Sequence, residues 1–264
     1  MATVTFLSDY GLADDFVGVC HAVIARIAPD ARVIDLTHGV PRHDVRAGAL
    51  TLARALPYAP AGVHLAVVDP EVGAERRAVA LRCAREDRVL VGPDNGLLMP
   101  AARAFGGPVE AVDIARSPHR LEPVAATFHG RDVFAPVAAH LAAGAPLAGA
   151  GDPLGVDELT PLVLPEPTLR DGRIEAHAVT LDGFGNVQLD VSHEQLSGSG
   201  LRLGRPVLAN GEHAQYARTF ADVAAGELLL YEDAYRTLAL AVNRGSAAKR
   251  LGLAPDATVV LEPA

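Results

Sequence analysis

The sequence predicts an α/β protein: an N-terminal three-layer α/β domain with a mostly parallel sheet, followed by a small β-barrel-like domain. Up to Ala142, apolar runs of strand length alternate with segments whose apolar residues recur at helical spacing, which is typical of a sheet with crossover helices. After Arg173 the pattern changes to short apolar runs at close spacing, which is typical of a small barrel or sandwich. Residues 143–160 are rich in Gly, Pro and Ala. We therefore predict domains at 1–160 and 168–264, joined by a linker.

The N-terminal pattern consists of strands and helices in near alternation. Asp14 and Asp15 precede the first helix, where carboxylates interact favourably with the helix dipole. Asp44 is predicted to cap the second helix. The predicted elements, in chain order, are strand Thr3–Leu7, helix Phe16–Ile27, strand Arg32–Leu36, helix Val45–Leu56, strands Val63–Val68, Ala78–Cys83 and Arg88–Val91, helix Leu97–Phe105, strand Val109–Ile114 and helix Val133–Ala142.

The C-terminal pattern is dominated by short strands. A single helix is predicted there, Ala247–Leu251. The predicted strands are Ile174–Leu181, Val187–Leu189, Leu201–Leu208, Tyr216–Phe220, Leu228–Tyr231, Leu238–Val242 and Thr258–Leu261.

Composition and charge exclude several classes of function. The 264 residues are half hydrophobic and carry a net charge of −9, which argues against nucleic acid as a partner because phosphate binding needs a basic face. Cys20 and Cys83 lie in apolar segments without metal or disulfide spacing. No apolar run is long enough to span a bilayer, and the N-terminus lacks the pattern of a signal peptide. These features predict a cytoplasmic protein with no membrane or nucleic-acid partner.

Polar residues follow several of the predicted strands of the first domain. Ligands of open α/β sheets bind at the carboxyl ends of the strands, so a set of polar residues at these ends predicts a site. The set is Asp9, His38, Asp69, Asp94 with Asn95, and His129.

The combination of Asp69, Arg76 and His129 indicates acid–base or water-positioning chemistry. An arginine favours the charged form of a nearby carboxylate, which then accepts a hydrogen bond from a hydroxyl or a water. A histidine can orient that water or accept its proton. Spacing alone leaves Arg77 as good a candidate as Arg76. For Asp69, the simpler interpretation is an isolated Asp-Pro turn with a surface ion pair.

Two further turns carry residues suited to a nucleoside. Asp9 lies between a strand and a Gly turn, where a carboxylate suits two vicinal hydroxyls or, equally, an Asx turn. In the segment 182–186, Phe184 could stack on a flat ring and Asn186 could pair with a heterocycle edge. Taken by itself, this segment favours a plain hairpin with Phe184 in the core.

Other catalytic motifs are missing from the sequence. There is no phosphate-binding loop, no Gly-x-Ser-x-Gly elbow and no nucleophilic cysteine setting. Metal ligands of suitable type are present, but zinc spacings are absent, so we predict no required metal. The candidate ligands are Asp9, Asp14, Asp15, Asp94 and His129.

The motifs, taken together, resemble the S-adenosylmethionine hydrolases, also called SAM hydroxide adenosyltransferases, which are relatives of the fluorinating and chlorinating enzymes. The resemblance runs from Thr3 to about Leu261 and rests on several motifs in a fixed order. They are Leu7–Gly11 with Asp14, Asp35–His38, Val68–Gly73 with Arg76, Gly92–Gly96, Phe128–Asp132, Phe184–Asn186, Gly226–Leu228 and Ala241–Asn243.

The resemblance implies a reaction and a set of residues. Water or hydroxide attacks C5′ of S-adenosylmethionine, giving adenosine and L-methionine without a cofactor, in a homotrimer with sites between subunits. The water-holding residues fall on Asp69, Arg76 and His129, and halogenating relatives have a tyrosine where Asp69 stands, so water is favoured over halide. Among the residues implied to contact the substrate, Asp9 lies at the ribose, Asp182 at methionine and Asn186 at adenine. The others are Asp69, Phe184 and the backbone of Ala234 and Val242.

The sequence departs from the family pattern at two places. The Asn-Ser-x-Gly segment near the C-terminus is replaced by Glu232–Arg236, and Glu71 stands where many relatives have glycine. Two alternatives follow from the residues: a metal-dependent nucleoside or phosphate hydrolase built on Asp9, Asp14 and Asp15, and a non-catalytic protein that binds an adenosyl ligand.

Overall fold

The computed structural model describes residues 2–196 and 198–264. The chain forms two compact units, one ending at Val163 and the other beginning at Leu164. Among the described residues, no helix has both the length and the apolar character needed to span a membrane.

The described part of the N-terminal unit alternates strands and helices, as predicted, with small shifts at the ends. A short π-helical turn, Gly130–Phe134, precedes the last helix. The elements are β1 (Thr3–Ser8), α1 (Phe16–Ile27), β2 (Arg32–Thr37), α2 (Val45–Ala55), β3 (Val63–Val67), β4 (Ala78–Cys83), β5 (Val89–Pro93), α3 (Met99–Ala104), β6 (Pro108–Asp113), α4 (Ala135–Ala142) and β7 (Asp152–Leu154).

The sheet of this unit has the order β2-β1-β3-β5-β4-β6-β7. Strands β2, β1, β3 and β5 pair in parallel. Strands β4, β6 and β7 each pair antiparallel with the strand before them in that order. Five of the seven strands therefore point in one direction, and the carboxyl ends of β1 and β3 are neighbours.

Alternating side chains of the strands fill two cores, which confirms the three-layer arrangement. Phe6 and Val67 pack into the core beneath α1 and α4, whereas Leu7 and Ala66 pack into the core beneath α2 and α3. This follows from the period of two along a strand.

The predicted cap of α2 is present: the carboxylate of Asp44 accepts a hydrogen bond from Ala47 N at 2.8 Å. At α1, Asp15 occupies the cap position without such a bond. Strand β7 lies within residues 143–160, for which no element was predicted. Its three residues are too few to show a period.

The C-terminal unit is a closed barrel, as the fold class predicted. The order β10-β14-β13-β12-β11-β15-β9 closes because β9 also pairs with β10, and β8 adds to the start of β9. Its elements are β8 (Thr168–Arg170), β9 (Arg173–Leu181), β10 (Val187–Ser192), β11 (Pro206–Ala209), β12 (Glu212–Tyr216), β13 (Leu228–Glu232), β14 (Thr237–Val242), α5 (Ala247–Leu251) and β15 (Thr258–Pro263).

Two predicted strands of this unit are wrong in extent. The strand predicted over Leu201–Leu208 begins only at Pro206, because the chain turns through Gly204, whose φ is +79° and whose N–H bonds Tyr216 O. The strand predicted over Tyr216–Phe220 ends at Tyr216, and Phe220 begins a short 3₁₀ turn. Asp222 holds that turn by accepting from two backbone N–H groups.

Candidate active site

A cavity of about 360 Å³ opens beside the ends of β1 and β3. Asp9 follows β1 and Asp69 follows β3, so the paired parallel strands deliver both carboxylates to one edge of the sheet. The lining residues are Asp9, Tyr10, Asp14, Phe16, Arg42, His43, Asp69, Val72, Thr127, Phe128, His129 and Gly130.

Asp69, Arg76 and His129 form one hydrogen-bonded cluster at this cavity. Arg76 donates from Nε to Oδ1 of Asp69 at 2.8 Å and from Nη2 to Oδ2. The same Nη2 lies 2.9 Å from Nδ1 of His129. The side chains of Arg76 and Asp69 are only 4% and 5% exposed, so the pair is shielded from the solvent that weakens surface ion pairs.

The contact with Arg76 decides the protonation state of His129. A guanidinium has no acceptor, so Arg76 donates and Nδ1 of His129 must accept. Burial and then the positive charge of Arg76 lower the pKa of His129 from its ordinary value. His129 is therefore neutral at neutral pH with its proton on Nε2, where it serves as a hydrogen-bond donor.

The two loops that carry these residues approach closely at Gly73. Its φ is +81°, and an added Cβ would lie 2.5 Å from the carbonyl oxygen of Ala126. The turn that begins at Asp69 is closed by bonds from Val72 N to Asp69 O and from Ala74 N to Glu71 O. Glycine at position 73 thus lets the Asp69 turn lie against the loop that leads to His129.

Aromatic rings form an apolar wall of the cavity. Phe128 meets Tyr10 and Phe16 edge to face, with centroids 6.0 and 5.1 Å apart. Burial, together with nearby negative groups, raises the pKa of Tyr10 well above its ordinary value, so its phenol stays neutral. Gly130 leaves room for that phenol, since an added Cβ would lie 2.1 Å from the hydroxyl oxygen. Sequence reasoning missed Tyr10 and Phe128, although each adjoins a residue that it selected.

Asp9 is fixed at the cavity by a loop that sequence reasoning also missed. Its Oδ2 accepts from the backbone N–H of His43 at 2.9 Å. His43 has a φ of +66°, and no local pattern marks it in the sequence. Asp9 also lines the cavity, where its carboxylate can accept from a ligand hydroxyl.

The other strand-end residues, His38, Asp94 and Asn95, do not line this cavity. His38 is buried, with Nδ1 2.8 Å from Ser8 Oγ. Arg77 donates from Nε to Asp94 Oδ2 at 2.8 Å, and Asp94 Oδ1 accepts from Thr160 N at 2.8 Å. Asn95 bonds Val68 O at 2.9 Å. Arg77 and Asp94 therefore secure the end of this unit, whereas the neighbouring Arg76 faces Asp69 and His129.

Glu71, which departs from the family pattern, and Asp14, a candidate metal ligand, are solvent-exposed. Glu71 is exposed on a second cleft, which also holds Asp94 and Asn95. Asp14 is exposed at the rim of the first cavity. The described residues place no group of three ligand atoms among Asp9, Asp14, Asp15, Asp94 and His129 within metal-binding reach.

The segment 182–186 is an exposed turn, and the expectation that Phe184 lies in the core is wrong. Asp182 Oδ1 accepts from the N–H groups of Phe184 and Asn186, each at 2.9 Å, and Oδ2 accepts from Asn186 Nδ2 at 2.8 Å. These bonds close the turn and leave the Phe184 side chain 82% exposed. An aromatic ring held outward by a rigid turn is suited to contact a ligand or another surface.

Ala234 and Val242 lie at opposite ends of β14. Ala234 is exposed in the turn before Thr237, whereas Val242 is buried at the last residue of the strand. The pairing of Val187 with Leu240 places the 182–186 turn near the Val242 end. The barrel therefore brings Val242 close to the Asp182 turn. Gln188, two residues after Asn186, donates from Nε2 to Oδ2 of Asp233, the residue before Ala234.

Comparisons with known proteins identify relatives along nearly the whole chain. The profile of the SAM hydroxide adenosyltransferase N-terminal domain matches residues 4–151, and that of the C-terminal domain matches residues 176–260. A Salinispora tropica protein named (R)-S-adenosyl-L-methionine hydrolase is 52% identical over 255 residues, which are 96% of this chain and 94% of the relative.

More distant relatives agree with this match. The crystal structure of an uncharacterised conserved protein from Thermotoga maritima superposes with a TM-score of 0.89 at 34% identity, covering 98% of this chain and 99% of that one. A fluorinase from an Actinoplanes species is 28% identical over 294 residues, covering 99% of this chain and 97% of the relative. Both family profiles and the 52% identity lead to one conclusion: this chain belongs to the SAM hydroxide adenosyltransferase family.

Proposed function

We propose that the protein hydrolyses S-adenosyl-L-methionine to adenosine and L-methionine by attack of water on C5′. The observation that carries this proposal is the hydrogen-bonded Asp69–Arg76–His129 cluster, with a buried Asp69–Arg76 pair, at the wall of a partly aromatic cavity. The names of the relatives support the same substrate.

The reaction needs a positioned water more than it needs an acid. The water oxygen forms a bond to C5′ as the C5′–S bond breaks, and the electron pair of that bond goes to sulfur. Sulfur leaves as the neutral thioether of methionine, so its departure requires no proton. The water loses one proton, and excluding other water from the cavity favours in-line attack.

Each member of the cluster has a distinct role in this step. His129 donates from Nε2 to the water oxygen, and Asp69 accepts one of the water protons. Arg76 holds both partners in register, because its guanidinium contacts Asp69 through two nitrogens and His129 through one. A carboxylate suits water better than halide, since a halide ion has no proton to donate to Asp69.

The remaining contacts are proposed from the position of the residues. Asp9 binds the ribose hydroxyls through its carboxylate. In the barrel, Asp182 and the backbone of Ala234 hold methionine, whereas Phe184, Asn186 and the backbone of Val242 hold adenine. We further propose a homotrimer in which the barrel of one subunit completes the cavity of another. Light scattering on the purified protein measures the subunit number.

The relatives' name specifies the (R) sulfonium epimer, and we propose the same preference here. The two epimers differ in the direction in which the methyl group projects from sulfur. Supplying each epimer separately and comparing kcat/KM tests the preference, and equal values contradict it.

Product analysis tests the function. The purified protein is incubated with S-adenosyl-L-methionine, and adenosine and methionine are quantified by chromatography. We expect equimolar products, with and without a chelator, because no metal takes part in the proposed step. Loss of activity on chelation would support the metal-dependent hydrolase, and binding without turnover would support the adenosyl-binding protein.

Two neighbouring arginines provide a matched pair for the site assignment. Lysine cannot reproduce the two-pronged contact of Arg76 with Asp69, so Arg76→Lys is expected to lower kcat strongly. Arg77→Lys is expected to retain activity, because Arg77 faces Asp94 and Glu158. Equal effects of the two substitutions would contradict the assignment.

A further inference from the structure

A second cluster of polar side chains lies where α1 meets β2. His21 projects from α1, Asp35 from β2, and His38 follows β2. One ligand atom from each residue lies within 4.8 Å of the other two. In the described part of the chain, no other three His, Cys, Asp or Glu side chains come together in this way.

The key residue of this cluster is His38, whose side chain is only 3% exposed. Its Nδ1 lies 2.8 Å from Ser8 Oγ. Among residues 2–196 and 198–264, its buried Nε2 has no hydrogen-bond partner, and Asp35 Oδ1 lies 3.1 Å away, outside hydrogen-bonding geometry. Buried polar atoms are rarely left without a partner, so this nitrogen indicates a ligand that binds between His38 and Asp35.

The hydrogen bond to Ser8 suits a metal-binding histidine. When Nδ1–H donates to Ser8 Oγ, Nε2 presents a lone pair towards Asp35 and His21. Metal-bound histidines commonly donate their other ring N–H to an oxygen in this way. The ring of Phe6 packs against His38 with centroids 4.7 Å apart and limits its rotation.

The spacing of the ligand atoms fits a small divalent ion. Asp35 Oδ1 lies 2.8 Å from His21 Nε2 and 3.1 Å from His38 Nε2. Ligands bound about 2.1 Å from zinc at tetrahedral or octahedral angles lie roughly 3.0–3.4 Å apart. Only a small opening of the cluster is therefore needed to place an ion between them.

The donor set selects the class of metal. Two imidazoles and one carboxylate suit zinc and other divalent transition metals, whereas calcium and magnesium prefer oxygen ligands. The side chains of His21 and Asp35 are 35% and 40% exposed, so an ion can enter and keep water as its remaining ligands.

We propose that His21, Asp35 and His38 form a binding site for a divalent transition metal of the zinc class. This site is separate from the water-holding residues, and its ligand His38 does not line the substrate cavity. Bound metal ties α1 to the end of β2 and stabilises the N-terminal unit by mass action, since the unfolded chain lacks the site.

Cobalt and zinc titrations test the proposal with the full chain carrying no polyhistidine tag. The visible absorption of Co²⁺ reports its ligands, and competition with a chromogenic chelator gives the Zn²⁺ affinity. We expect equimolar binding, a Co²⁺ spectrum of mixed nitrogen and oxygen ligation, and a higher Tm with Zn²⁺. Ser8→Ala is expected to weaken Zn²⁺ binding about 10–100-fold, as for other residues that orient a metal ligand.

Substitutions at the partly exposed ligands give the decisive comparison. His21→Ala and Asp35→Asn are expected to lose equimolar binding and the Tm increase, and circular dichroism checks that they fold. His193→Ala is the matched control, since His193 forms a histidine–carboxylate pair with Glu232 at 2.6 Å. Absence of equimolar binding by the unaltered protein, its retention in His21→Ala, or its loss in His193→Ala would each overturn the proposal.

Discussion

At the residue scale, the contact between Arg76 and His129 assigns the histidine a role that composition and spacing left open. The sequence allowed His129 either to orient the water or to accept its proton. With Nδ1 accepting from Arg76, the neutral ring has its only free group at Nε2–H. We infer that His129 orients the water as a donor and that the proton moves towards Asp69.

Replacement of His129 by glutamine and by alanine separates the two roles. The amide of glutamine can donate from a position near Nε2, but it cannot act as a base at neutral pH. We expect His129→Ala to lower kcat about 10²–10³-fold, as for loss of one positioned donor, with little change in KM. His129→Gln is expected to retain much more activity, and equal loss in both variants would contradict the donor role.

The pH dependence of turnover also follows from His129. Burial and then the charge of Arg76 lower the pKa of His129. The loss of activity caused by protonation of His129 is therefore expected below about pH 6.5, the ordinary pKa of histidine. Protonation at Nδ1 would place a proton against the Arg76 donor and disrupt the cluster. Measuring kcat from about pH 8 to pH 5 should show constant activity near neutrality and a loss on the acid side. His129→Gln should lack this limb, and an unchanged limb would show that another group titrates.

At the element scale, the strands and helices of the N-terminal unit were largely predictable because their apolar residues alternate or recur at helical spacing. The contacts between loops were not. The closeness of the Asp69 turn to the His129 loop depends on Gly73 meeting Ala126 O, two positions far apart in sequence. Likewise, the segment 182–186 carries both an aromatic and glycines, and only the bonds to Asp182 show that Phe184 points outward.

Gly73→Ala tests the loop contact. Both a left-handed backbone and a clash with the Ala126 carbonyl oppose the substitution. We expect greater loss of stability than the ~1–2 kcal/mol of a left-handed residue alone, together with reduced kcat as Asp69 moves relative to His129. Gly144→Ala is the control, since Gly144 has a φ of +98° with nothing within 4 Å of an added Cβ. Equal losses of unfolding free energy in urea and equal kcat values in the two variants would contradict the role of the contact between Gly73 and Ala126.

At the scale of the whole molecule, the α/β and barrel-like parts could be predicted because their apolar patterns occupy separate segments of the sequence. The clustering of His21, Asp35 and His38 could not, since it depends on how α1 packs beside β2. The buried polar network of the sheet was equally hidden. His64 lies 2.8 Å from Thr5 Oγ1 and 3.1 Å from Arg88 Nη1 in the interior of β3.

His64 makes the stability of the molecule sensitive to acid. Burial, and then the charge of Arg88, lower the pKa of His64 to about 3, whereas the unfolded chain has the ordinary value of about 6.5. The contribution of neutral His64 to the free energy of unfolding is complete above about pH 6.5. It is lost as the pH falls, at up to about 1.4 kcal/mol per pH unit. Urea unfolding between about pH 7 and pH 5 should show this slope. His64→Gln should reduce the slope, and equal slopes would contradict the assignment.

The most direct test of the account is the fate of oxygen during turnover. The protein is incubated with S-adenosyl-L-methionine in ¹⁸O-enriched water, and the products are analysed by mass spectrometry. Attack of water on C5′ predicts one ¹⁸O atom in the 5′-hydroxyl of adenosine and none in methionine. Adenosine that forms without the label would contradict direct attack by water held at Asp69 and His129.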